Sequence, residues 1–195
     1  MGWSIELGRI VVLTEASFLS QQLCYPIEGH LDSVYRIFRY LQNNLGKNPG
    51  MMTYNPMYEV ADENLFEVVG IYLGEWKDFY PDAQKMKPRN MPEALGKYGA
   101  IKSYVDANHA GNMANGRSYS DIIIYVNNAP IIWYSKRQNT VEASSFGSEF
   151  VALRLATEII EALRYKLKYF VVPVEGPVDV FCDNKSVVGN SSIPT

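Results

Sequence analysis

Cysteine is scarce: Cys24 and Cys182 are the two in the chain, far apart and in no CxxC pair. That argues against a disulfide framework or a structural zinc site and fits a reducing intracellular compartment. Surplus positive charge is lacking too. The 18 Lys and Arg residues are outnumbered by 21 Asp and Glu, giving a formal net charge of -3. A protein that coats nucleic acid is normally basic, so any phosphate affinity here must come from a local patch and not from the global field. Long apolar runs are missing as well. Glu6 and Arg9 interrupt any signal-peptide core, and no stretch has the length of a membrane span, so a soluble chain is expected. Glu6 also stands where a myristoylation signal needs Ser or Thr. There is no internal repeat. What remains is an ordinary globular mix, 47% hydrophobic and 20% charged, able to build a sizeable core.

The texture of the chain changes twice. Residues 1–50 read as a helical pair. In the second helix Leu31, Val34, Ile37, Phe38 and Leu41 fall on one face, with His30 in the first turn and Gly46 and Pro49 as stop signals. Residues 51–97 are weakly patterned, with strand-like pieces at 52–54 and 66–72 and a proline-bearing polar stretch, and read as a linker. From residue 98 to 195 the pattern is sharp. Strands are expected at 101–105, 122–126 and 131–134, the last two joined by a tight turn at Asn127-Asn128. A long helix follows over 145–170, then a strand over 178–182 and the start of another helix over 184–190. A long helix between strands can serve as a crossover, so a mixed α/β sheet with helical cover is expected.

The long helix carries Phe146, Phe150, Leu153, Ala156, Ile160, Leu163, Leu167 and Phe170 at alternating three- and four-residue steps. At about 100° per residue Glu149 falls inside that stripe. An ionised carboxylate there costs several kcal/mol unless a salt bridge, a raised pKa or a metal ion compensates it. A helix N-terminus also favours negative charge, which is the simpler explanation of a lone Glu149. Two further acids bear on the choice. Asp106 follows the apolar end of the first strand and Asp183 that of the fourth. Each alone reads as loop polarity or, for Asp183-Asn184, as a helix cap. Together, three acids at the mouth of a sheet form a set that a divalent cation can share, and hard oxygen ligands suit Mg²⁺ or Mn²⁺.

Four blocks carry a resemblance. Tyr104-Val105-Asp106-Ala107-Asn108-His109-Ala110-Gly111, with Arg117-Ser118, is the first. Ile132-Trp133-Tyr134-Ser135-Lys136-Arg137-Gln138-Asn139-Thr140-Val141 is the second. The third is Ser144-Ser145 with Glu149-Phe150 and Ala152-Leu153, and the fourth is Val180-Phe181-Cys182-Asp183-Asn184-Lys185-Ser186. In order and spacing they resemble the ribonuclease H-like domain of copia-type (Ty/copia) retrotransposon polyproteins, closely from about residue 100 to 190. Val34-Tyr35-Arg36-Ile37-Phe38-Arg39-Tyr40-Leu41 is similar to the segment that closes the reverse transcriptase region of such polyproteins, although no polymerase palm is present.

The resemblance implies a ribonuclease H-like sheet of three antiparallel strands, a crossover helix and a fourth parallel strand, with an N-terminal helical pair. It implies metal-dependent hydrolysis of the RNA strand of RNA–DNA hybrids, with Asp106, Glu149 and Asp183 as catalytic residues holding two Mg²⁺ or Mn²⁺ ions. Lys136, Arg137, Asn184 and Lys185 would contact nucleic acid. The implied partners are the hybrid and the reverse transcriptase or integrase portions of the same polyprotein, in a cytoplasmic virus-like particle or the nucleus, with neither secretion nor membrane attachment. In this family a fifth strand, a further helix and a fourth acid follow, so a C-terminally truncated domain with an unpaired sheet edge is expected. Asp121 replaces a usual glycine and should disfavour the start of the second strand, and Asn108 stands where an acid is common. His109 suits either phosphate contact or an ordinary loop. These departures leave two alternatives: a catalytically inactive remnant, and a non-catalytic connection module that packs on a polymerase.

Overall fold

The computed structural model of the chain describes residues 10–23, 25–44, 90, 92–96, 98–174 and 176–192. The expected strand-like pieces at 52–54 and 66–72, the helical residues before Ile10 and the stop signals Gly46 and Pro49 lie outside them. A 3₁₀ turn, Ile10–Val12, leads into α1, Leu13–Ser20, and α2 spans Glu28–Asn43. Then come β1 (Ile101–Asn112), β2 (Arg117–Val126), β3 (Ala129–Arg137), α3 (Ser145–Tyr169), β4 (Asp179–Cys182) and α4 (Lys185–Ser192). The four strands form one open sheet in the order β3-β2-β1-β4. β1, β2 and β3 pair antiparallel, and β4 lies parallel to β1. The chain is thus a mixed α/β fold in which α3 carries it from one edge strand to the other, as a parallel pairing requires.

The β2–β3 connection is the two-residue turn expected at Asn127-Asn128. Asn127 adopts φ 56°, a conformation Asn tolerates better than most residues. It also ties the turn to the start of β1: its N–H donates to the Ala100 carbonyl at 2.7 Å, and its Oδ1 accepts from the Ala100 N–H at 3.0 Å.

Two strands are longer than their sequence suggests. β1 runs seven residues past the expected 101–105, to Asn112, with its register broken between Asn108 and Asn112. Ala110 sits at that irregularity with φ 50°, and its N–H donates to Ser118 Oγ at 3.0 Å. β2 begins at Arg117, so Asp121 lies in mid-strand, opposite Asp106 on one side and Ser135 on the other. The expectation that Asp121 would disfavour the strand start therefore fails, because the start lies upstream, where Ser118 and Tyr119 are buried.

Each face of the sheet has its own core. Ile101, Val105, Ala107, Ile122 and Ile124 pack against Ala152, Ala156, Ile160 and Leu163 of α3. The two alanines are fully buried, so small side chains bring the helix axis close to the strands. This sets the helix's rotation and corrects the expected stripe. Ser148, Glu149, Ala152, Ala156, Ile160 and Leu163 face the sheet, whereas Phe150 and Phe170 are exposed. Phe150 instead stacks on Phe146, with ring centroids 5.9 Å apart. On the opposite face Val12, Ala16, Leu19 and Ile37 form a second cluster that includes Trp133 of β3. Ser17 Oγ of α1 donates to the Ser135 carbonyl at 2.8 Å and locks that layer to β3. Of the expected α2 face Ile37 is buried, while Leu31 and Phe38 are exposed. His30 does lie in the first turn of α2, its Nδ1 accepting from the Ile27 N–H at 3.2 Å.

Candidate metal centre

β4 is short, and its last pair with β1 is Val105 opposite Cys182. Beyond that pair β1 continues without a partner strand on this side, and the Ala107 N–H is left to hydrogen-bond the Glu149 carboxylate. Strand alternation places Val105 and Ala107 toward α3 and Asp106 toward the other face. Glu149 comes from the α3 layer and meets Asp106 where β4 stops; the two carboxyl groups are hydrogen-bonded. Asp183 is the first residue after β4. Ligand atoms of Glu149, Cys182 and Asp183 all lie within 4.8 Å of one another. The fold thus brings Glu149 of α3 between the other groups: Asp106 of β1 on one side, joined to it by the carboxyl hydrogen bond, and Cys182 and Asp183 at the end of β4 on the other. Asp106 is not part of the mutually close group.

Several contacts fix the beginning of α3, where Glu149 sits. Ser144 Oγ caps the helix by accepting from the Gly147 N–H at 3.2 Å. Ser148 Oγ donates to the Ser145 carbonyl at 2.9 Å and lies 3.3 Å from His109 Nδ1. Because that hydroxyl has a single hydrogen, the shorter bond implies that His109 Nδ1 is the donor to Ser148 Oγ. Gln138 Nε2 donates to the Ser148 carbonyl at 2.8 Å and to Ser120 Oγ at 2.9 Å.

The electrostatics run in one direction. Glu149 is 5% exposed. Burial pushes its carboxyl up to about 7; the Ala107 N–H opposes this, while the charges of Asp106 and Asp183 reinforce it. The Cys182 thiol, which donates to Glu149 Oε2 at 4.0 Å, is likewise pushed up, by burial first and then by the surrounding acids. Burial also raises Asp121, and the charge of Asp106 adds to it. A cluster that resists negative charge while holding this many acids is one that a cation would relieve.

The nucleic-acid candidates are placed less uniformly. Arg137 shares a row with Tyr119 and Asn108, two residues along from the row Ser135, Asp121 and Asp106. It therefore lies on the Asp106 face, two strand spacings or about 10 Å across the sheet. Lys136 pairs with Ser120 and belongs to the α3 face, at an exposed position. Asn184 Oδ1 accepts from the N–H groups of Ser186 and Val187 at 3.1 and 3.2 Å, so its oxygen serves as the cap of α4. Lys185 opens that helix and is exposed.

Sequence reasoning passed over three residues. Cys182 stands in no CxxC pair and so gives no signal by spacing, although it directly precedes Asp183. Asp121 has the type of a strand breaker, and only the pairing of β2 with β1 sets it opposite Asp106. Gln138 carries no signal of its own beyond lying next to Lys136-Arg137.

No family model matches the chain, and no solved structure matches it. Among curated proteins, the secreted RxLR effector protein 161 of Plasmopara viticola is 40% identical over 58 residues, 30% of this chain. That stretch is 41% of the effector, so the chain spans less than half of that relative's length. Fold and site together define a mixed α/β protein with a carboxylate and thiol cluster at the end of its parallel strand.

Proposed function

We propose that the chain is a ribonuclease H-like domain of copia-type retroelement origin that hydrolyses the RNA strand of RNA–DNA hybrids with a divalent cation. The observation that carries this reading is the buried Glu149 carboxyl, pushed up to about 7 between Asp106 and Asp183. The sheet order β3-β2-β1-β4, with α3 as crossover, is compatible with that fold.

The carboxylates of Asp106, Glu149 and Asp183 offer hard oxygens that suit Mg²⁺ or Mn²⁺, and Asp106 and Asp183 are open to solvent; the Cys182 thiol beside Glu149 and Asp183 adds one softer donor. Asp106, Glu149 and Asp183 would hold the metal. In such a cluster a divalent cation supplies Lewis acidity, lowering the pKa of water and neutralising charge on the phosphodiester. The chain's own residues do the rest. The Ala107 N–H orients the Glu149 carboxyl, which keeps its proton below about pH 7 and in its ionised form would hold the cation. Asp106 and Asp183 stand at the surface, where a polymer can approach without entering a cavity. Arg137, on the Asp106 face, supplies a cation for a neighbouring phosphate. Recognition through duplex shape and 2′-hydroxyls would give little sequence preference.

The test is Mg²⁺-dependent cleavage of a labelled RNA–DNA hybrid by the chain and by its Asp106→Asn variant. The variant should lose on the order of 100-fold in rate or more. Equal signals from the two proteins would overturn the proposal in favour of an inert domain.

A further inference from the structure

Gln138 follows β3 directly and is 5% exposed. Its backbone N–H donates to the Ser118 carbonyl at 2.8 Å, carrying the β2–β3 ladder one residue beyond the strand. The side chain then crosses into the α3 layer. Both hydrogens of its amide nitrogen are used, one on Ser120 Oγ of β2 and one on the Ser148 carbonyl of α3. That carbonyl belongs to the peptide whose nitrogen is the backbone N of Glu149. One side chain rooted in the sheet thus holds the peptide unit that carries the metal-centre glutamate.

We infer that Gln138 is a positioning residue for Glu149; this rests on the reading of Glu149 as a metal ligand given above. Two further observations support it. Of the other side-chain bonds around the first turn of α3, those from Ser144 and from Ser148 to Ser145 are local to that turn, and the His109–Ser148 bond at 3.3 Å ties the Ser148 hydroxyl to β1 without holding the peptide of Glu149. The Gln138 Oε1 is buried with no hydrogen-bond partner. A residue that only filled this space would do so more favourably without an amide, because a buried unpaired acceptor is destabilising. What the amide gives in return is direction: two N–H bonds that set helix height and rotation at residue 148.

The test uses the full chain with Gln138→Met, which keeps length and volume but removes both donors. A second variant, Gln138→Asn, keeps the amide one methylene short and serves if the first fails to fold. Ser120→Ala is the control, since it removes the other anchor and leaves the Ser148 bond. Mn²⁺ affinity is read by electron paramagnetic resonance, and amide exchange is followed at residues 148–152. Gln138→Met should bind Mn²⁺ about tenfold more weakly, in the range seen when a ligand's supporting bond is removed. It should also exchange faster over that turn, while Ser120→Ala stays near wild type in both. Wild-type affinity and exchange in Gln138→Met would overturn the inference, as would an equal weakening in Ser120→Ala. If the unsubstituted chain bound no Mn²⁺, the metal reading itself would fall; exchange alone would then decide the tether, faster in Gln138→Met if it exists and unchanged if it does not.

Discussion

Glu149 couples its protonation to the stability of the fold. Its carboxyl lies at about 7 in the folded chain against an ordinary 4.5, so the folded state holds this proton more tightly than the unfolded state. The associated stabilisation is complete below about pH 4.5 and is lost as the pH rises through 7. In cation-free buffer the thermal midpoint should fall by a few degrees between pH 5 and pH 8. Glu149→Gln should remove most of that slope, leaving the part that belongs to Asp121, whose burial acts in the same direction. Identical profiles for the two proteins would mean that Glu149 is not the coupled group. Cys182 makes a second prediction. A soft thiol beside two carboxylates favours thiophilic ions, so Cd²⁺ should slow alkylation of Cys182 where Mg²⁺ does not. An equal rate with either ion would show that the sulfur takes no part. At this scale the three acids were legible because each interrupts an apolar pattern. The place of Cys182 was not, since it follows from its pairing with Val105, a relation between strands distant in the chain.

At the scale of elements, the end of α3 is held by two bonds. The Val171 N–H donates to the Lys168 carbonyl at 2.9 Å and the Val172 N–H to the Leu167 carbonyl at 3.0 Å. This is the Schellman arrangement, and its left-handed position is usually glycine. Here it is Val171, at φ 62°, where a β-branched side chain is strained. Val171→Gly should therefore stabilise the chain by about 1 kcal/mol, measured as a higher urea midpoint at unchanged slope. A lower midpoint would mean that the valine side chain contributes more than its backbone strain removes. The strand content was only partly readable for similar reasons of context. Asn108, His109, Ala110 and Gly111 are poor strand formers, yet β1 runs through them because β2 supplies a ladder and Ser118 Oγ receives the odd N–H. The apolar stripe of α3 holds at Ala156, Ile160 and Leu163 but differs at its first turns, because Phe150 is large and apolar yet exposed, while the sheet selects the small Ser148 and Ala152.

For the whole molecule, the notable fact is that the N-terminal helices and the sheet share a core. Sequence texture separates residues 1–50 from 98–195, but Thr14 Oγ1 donates to Asp121 Oδ1 at 3.3 Å, and Phe18 lies 6.3 Å from Tyr119, ring to ring. Leu19 is 8% exposed in the cluster that includes Trp133. Leu19→Ala should cost about 2–4 kcal/mol in urea unfolding of the full chain. A loss below about 0.5 kcal/mol would indicate that the helical layer adds nothing to the sheet, as expected of a surface site. Such a contact was invisible in the sequence, where α1 and β3 stand more than a hundred residues apart. One consequence follows from how soon β4 stops. Were its ladder with β1 one rung longer, Asp183 would stand opposite Asp106 as a ladder residue, and the backbone of β4 would compete for the Ala107 N–H that now holds the Glu149 carboxyl. The openness of the cluster is in that sense set by the length of the shortest strand, so an insertion that extends β4 should shift the titration of Glu149 while leaving every acid in place, and an unchanged pH profile would show that the early stop of β4 does not matter.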